Sequence, residues 1–115
     1  MTTTNYNIDG VKFETVCELE LNRNGFTHIC TLLREGREIS RYDCHYLNRT
    51  WEPWQYYTVI RECINEAINA RALDLKAGYK FETGVKRVSA KKMAELQSSD
   101  KETEQLRKLY NSIHE

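Results

Sequence analysis

An α+β domain is what this sequence predicts: a three-stranded antiparallel sheet, with a candidate fourth strand, packed on one long amphipathic helix and followed by C-terminal helices. Three observations carry that expectation. Apolar and polar residues alternate over residues 11–21, a three-and-four spacing takes over after Pro53, and turn residues separate the runs. At 115 residues the chain suits a single domain with a modest core. Residues 1–10 read as a flexible N-terminus, 11–78 as the sheet-plus-helix core, and 79–115 as a C-terminal part of strand and helix.

The first strand is "VKFETVCELEL". Val11, Phe13, Cys17, Leu19 and Leu21 take one face, Lys12, Glu14, Glu18 and Glu20 the other, and Val16 breaks the pattern. Asn24-Gly25 tolerates the positive φ of a tight hairpin, so "FTHICTLLRE" should pair back at once. Its apolar residues fall on both parities, which leaves its buried face open. Gly36 marks the next turn, and "EISRYDCHYL" follows with Tyr42, Cys44 and Tyr46 on one face.

The period then changes. Thr50 can cap a helix and Pro53 suits its first turn, where no internal hydrogen bond is lost. Tyr56, Ile60, Cys63, Ile64, Ala67 and Ile68 recur at three and four spacings, with Arg61, Glu62, Asn65, Glu66 and Asn69 opposite. The helix should end near Gly78. "YKFETGV" alternates at Tyr79, Phe81, Thr83 and Val85, making residues 79–88 the candidate fourth strand, although Gly84 weakens it. "SAKKMAELQ" predicts a short helix. Ser99 and Glu102 fit a capping box ahead of a narrow stripe, Leu106, Leu109, Tyr110 and Ile113, which either folds back on the domain or pairs with a second copy as a homodimer.

Composition bounds function. Lys plus Arg and Asp plus Glu number 17 each, so no overall field draws the chain to nucleic acid or membrane. No apolar run approaches the roughly 20 residues of a membrane span, and the N-terminus lacks the basic start and apolar run of a secretory signal, so a cytoplasmic setting is expected. Cys17, Cys30, Cys44 and Cys63 stand 13, 14 and 19 residues apart, without the close pairs of structural zinc sites, and read as buried free thiols. His28 and Cys30 share a strand face and could supply two metal ligands, but a half-exposed histidine beside a core thiol is the plainer reading. Cys44 and His45, as strand neighbours, point to opposite faces and cannot form a nucleophile–base pair. No phosphate-binding, zinc-protease, serine-hydrolase or dinucleotide motif occurs. We therefore assign no catalytic residue, metal or cofactor, and expect a non-enzymatic protein.

Binding remains. Six of the twelve aromatic residues lie in residues 42–57. Tyr42, Tyr46 and one of Tyr56 or Tyr57 suit the core, while Arg49, Trp51, Trp54 and Tyr57 suit a protein contact, since Trp, Tyr and Arg bury large areas with little freedom lost. Lys76, Lys80, Lys86, Arg87, Lys91 and Lys92 meet only Glu82 between residues 76 and 92. Lys80, Lys86, Arg87, Lys91 and Lys92 are thus the alternative, a nucleic-acid contact, with a solvated edge as its plain reading.

"YLNRTWEPWQYYTVI" resembles a segment of short accessory proteins of phages and mobile elements, through Tyr46, Asn48, Arg49, Thr50, Trp51, Glu52, Tyr56 and Val59. The resemblance covers about a sixth of the chain. It implies a phage or plasmid origin, and a stoichiometric inhibitor of a host nucleic-acid-handling enzyme, anti-CRISPR activity included, acting in the cytoplasm of the host bacterium on a host protein or ribonucleoprotein such as a CRISPR effector. It implies no catalytic residues.

Overall fold

Four strands, rather than three, run antiparallel in the order β1 (Thr2–Ile8), β2 (Val11–Asn22), β3 (Gly25–Arg34) and β4 (Arg37–Leu47), in a computed structural model that describes residues 1–47, 52–84 and 87–113. The fourth strand comes from the N-terminus, which corrects its reading as a flexible lead-in. "TTTNYNI" alternates after all: Thr4, Tyr6 and Ile8 are half-buried while Asn5 and Asn7 are exposed. Asp9 and Gly10 both have positive φ, 53° and 82°, and close a two-residue hairpin. Asn7 Oδ1 accepts the Gly10 N–H at 3.1 Å and secures the turn.

The second turn differs from expectation in detail. Its two loop residues are Arg23 and Asn24, because Asn22 already pairs with Gly25. Gly25 is needed for proximity, since its strand start lies against the Tyr46 carbonyl of β4.

Helix α1 (Pro53–Thr83) is capped by Glu52, whose N–H donates to Gln55 Oε1 at 2.6 Å, with Pro53 in the first turn. The expected Thr50 cap lies outside the described residues. The helix runs through Gly78 and absorbs residues 79–83, so the candidate strand there is helix. Gly84 adopts φ 70° and its N–H bonds to Lys80 O at 2.9 Å, a left-handed stop to the helix. Phe81, part of that alternating run, is exposed on the helix.

Helix α2 (Ala90–Ser99) begins at Ser89, whose Oγ accepts from Lys92 N–H at 3.2 Å, and buries none of its residues. Helix α3 (Lys101–Ser112) is capped by Asp100, one residue after the predicted Ser99. Asp100 Oδ2 accepts from the Thr103 N–H at 3.0 Å and the Thr103 hydroxyl at 2.9 Å, while Ser99 Oγ donates back to Glu95 O at 3.1 Å.

Both α1 and α3 pack on one face of the sheet. Phe13, Cys30 and Leu32 meet Val59, Ile60, Cys63, Ile64 and Ala67 of α1 and Leu106, Leu109 and Ile113 of α3. The C-terminal stripe therefore folds back on its own domain and is not free to pair with a second copy. Each large side chain sealed this way contributes about 1.5–3 kcal/mol.

Arg71 of α1 latches the α2–α3 corner, donating to both Asp100 oxygens at 2.9 Å, with Glu102 at 3.5 Å. This pairing with Arg71 is the main reason the Asp100 carboxyl is held down to about 2 from 3.8. A depressed carboxyl stabilises the fold above its unfolded value, and that stabilisation disappears as pH falls towards 2. Asp100→Asn keeps a good cap and removes the charge. The wild type is expected to lose about 1–2 kcal/mol more than this variant between pH 5 and 2 in urea titrations, an allowance for the partly exposed Arg71. Parallel acid curves would mean the latch contributes nothing.

Candidate functional site

One end of the sheet is left uncovered. β1 starts opposite Cys17, since Thr2 pairs with it, so Glu18–Asn22 of β2 have no β1 partner. The helix-side rows beyond that point are Leu19, His28 and Cys44, then Leu21, Phe26 and Tyr46. Phe26 is buried and stacks on Tyr46 with ring centroids 4.9 Å apart. Leu19 is 50% exposed and Leu21 90%. Leu47 at the end of β4, Met1, and Trp54 in the first turn of α1 are also exposed at this end. Monomeric proteins rarely leave such a group of apolar side chains uncovered without a use for it.

Of the four residues proposed for a protein contact, Trp54 is 46% exposed, and Tyr57 is half-buried, edge-on to Tyr56 at 5.3 Å. Arg49 and Trp51 lie outside the described residues. Tyr56 is the ring tied inward, with its hydroxyl 3.1 Å from Thr4 Oγ1 and its ring stacked 6.1 Å from that of His28. Leu19 and Leu21 were missed because alternation placed them on the core face. They are on that face, but nothing described lies over them.

On the opposite, outer face of this end Glu18 shares a row with Asp43 and Glu20 lies in the next row on that face, which makes the rim acidic. The outer face of the sheet beside it is polar, with Asn22 Nδ2 donating to Thr27 Oγ1 at 2.8 Å and His45 Nδ1 3.1 Å from the same hydroxyl.

Beside the exposed Leu19 lies a cavity of about 500 Å³ lined by Met1, Thr2, Cys17, Glu18, Leu19, His28 and Tyr56. His28, expected half-exposed, is 1% exposed, because α1 brings Tyr56 across it. Cys17, Cys30 and Cys63 are buried and free. Cys63 Sγ donates to Cys30 O at 3.4 Å, and Ser40 Oγ to Cys63 O at 2.8 Å. The Cys17 thiol is lowered to about 6, chiefly by a hydrogen bond from Cys30 and further by His28, against the opposing effect of burial. Cys30 is pushed up by the same bond. Among the described residues no group of three or more His, Cys, Asp or Glu is arranged to hold a metal ion, which includes the His28–Cys30 pair.

The basic segment is a separate feature. Arg87, Ser89, Lys91 and Lys92 line a recess of about 390 Å³ with Tyr79 and Glu95. Lys92 Nζ lies 5.1 Å from the Tyr79 ring centre and 3.6 Å from Glu95. Lys80 sits in the last turn of α1 without lining the recess, and Lys86 lies outside the described residues.

No described helix is long and apolar enough to cross a membrane. No protein-family model matches the chain, and no curated protein or solved structure matches it either.

Proposed function

We propose that the chain is a non-enzymatic binding protein that occupies the surface of a partner protein through the uncovered end of its sheet. The observation that supports this reading most is Leu21, 90% exposed on a strand face that is core elsewhere, in the row next to Leu19, with Trp54 also exposed in the first turn of α1. An apolar centre with aromatic anchors and a charged rim is the usual anatomy of a protein contact. The acidic rim selects a basic counterpart, and nucleic-acid-handling enzymes carry such surfaces. The partner is then a host nucleic-acid-handling enzyme, in line with the phage-type resemblance and with anti-CRISPR inhibition, and the mechanism is steric exclusion of its nucleic acid.

Leu21→Asp is expected to stay within about 0.5 kcal/mol of the wild type in stability, because that side chain already faces water, whereas Trp54→Ala should cost about 1–2 kcal/mol, since about half of its ring is covered. Each should weaken partner binding at least ~10-fold. Immobilised wild-type and variant proteins exposed to the same bacterial lysate provide the comparison. A protein retained equally by all three would remove this surface from the reading.

The recess at Arg87, Lys91 and Lys92 favours a second reading, direct nucleic-acid binding. A gel-shift titration separates the two: binding that weakens steeply with salt supports the second, and none at low salt removes it.

A further inference from the structure

The cavity at the uncovered end brings together a thiol, a second thiol behind it and a buried imidazole with a spare nitrogen. Cys17 is only 4% exposed yet lines the cavity, where Met1, Leu19 and Tyr56 make most of the wall apolar and Glu18 adds one carboxylate residue. His28 lines it too, and its Nδ1 has no hydrogen-bond partner. A buried polar atom left unpaired costs about 1–3 kcal/mol, so an incoming oxygen that bonds there gains directly.

Register sets the relation of the two thiols. Glu35 N–H donates to Lys12 O at 2.9 Å, which marks the 12/35 position as hydrogen-bonded. Bonded and non-bonded pairs alternate along an antiparallel ladder, and β2 and β3 pair without a shift. Cys17 and Cys30, five pairs further on, are therefore a non-bonded pair. Such pairs hold Cα atoms about 4.5 Å apart with side chains at their closest, inside the roughly 4.4–6.8 Å range of disulfides.

We propose that Cys17 and Cys30 form a reactive dithiol oxidised by a small organic hydroperoxide that enters the cavity, with Cys17 as the attacking sulfur and Cys30 as the resolving one. The Cys17 thiolate attacks the terminal peroxide oxygen and the O–O bond breaks. The alkoxide leaves with a proton as an alcohol, and Cys17 becomes a sulfenic acid. Cys30 then loses its proton and its sulfur attacks Cys17; the S–O bond breaks, water leaves and a cross-strand disulfide forms. The two sulfurs together lose the two electrons that the peroxide gains, and a dithiol reductant returns them. His28 faces the attacked oxygen, and the apolar walls favour an alkyl peroxide over hydrogen peroxide. The lowered Cys17 keeps a thiolate available at neutral pH.

The native protein treated with equimolar cumene hydroperoxide is expected to lose about 2 Da, with Cys17 and Cys30 joined in the peptide map and dithiothreitol reversing the change. Oxidation should outpace that of the half-exposed Cys44 by at least ~10-fold, and cumene hydroperoxide should outpace hydrogen peroxide. In Cys30→Ala a dimedone adduct should appear on Cys17 instead of a disulfide. First oxidation at Cys44 or Cys63, or a Cys17 that reacts no faster in the folded protein than after unfolding in urea, would overturn the proposal. These readouts use no partner, so they fail or hold independently of the binding reading.

Discussion

Gly25→Ala is expected to destabilise the protein by about 3 kcal/mol, far more than an alanine at a strand start usually does. Gly25 has φ +150°, and a Cβ there would overlap the Tyr46 carbonyl oxygen and stand 2.9 Å from its carbon. Both atoms are backbone, so no side chain can move aside. Relief requires β3 to part from β4 where Gly25 pairs with Leu47 and Phe26 with Tyr46. The Phe26–Tyr46 stack lies in the same row as the exposed Leu21. The variant should therefore weaken partner binding as well as stability. Urea denaturation followed by circular dichroism measures the loss, and a change below about 1 kcal/mol would mean the two strands do not approach this closely.

Leu109→Ala is expected to cost about 3–4 kcal/mol. Leu109 is fully buried, in the core cluster that joins α3 to α1 and the sheet, and removing its side chain leaves a cavity that surrounding helices cannot collapse to fill. Leu21→Ala is the matched control, with a change within about 0.5 kcal/mol. The pair separates two leucines that hydrophobicity alone treats alike. It also distinguishes the two uses of the C-terminal stripe. In a folded-back helix the melting temperature is independent of protein concentration, whereas a stripe shared between two copies would make it rise with concentration. A concentration-dependent melt of the wild type, or a mild effect of Leu109→Ala, would count against the packing described.

How much of this was readable beforehand depended on the range of the interaction involved. The long helix was legible from Ile60, Cys63, Ile64 and Ala67, because a stripe at three and four spacings is a local property of the chain. The first β-hairpin was missed: Asp9-Gly10 closes it, but the three threonines before that turn resemble a polar tail. Tyr79, Phe81 and Thr83 alternate like a strand, but a strand needs an edge to pair with. The helix already running through Gly78 continues instead until Gly84 can take a left-handed conformation. The cap of α3 slipped by one residue because Ser99 and Asp100 are both good caps, and Arg71, 29 positions before Asp100, favours the aspartate.

The site divides in the same way. Trp54 could be picked out as a candidate for exposure from its type and its place at a helix start. Leu19 and Leu21 could not, because their face was correctly read and only their cover was missing. The pairing of Cys17 with Cys30 is likewise a matter of register, invisible in a spacing of 13 residues.

By itself, then, the sequence determined the α+β class, the order of three strands and the long helix between residues 11 and 78, and the apolar face of the first of those strands and of the helix, since these follow from dihedral preferences and periodicity within a few residues. Tertiary structure alone decided which apolar positions are covered and which thiols meet. β2 has 12 residues and β1 only 7, and β1 starts opposite Cys17, so β2 runs past it into water. Burial is a property of neighbouring elements, and neighbours are set by packing.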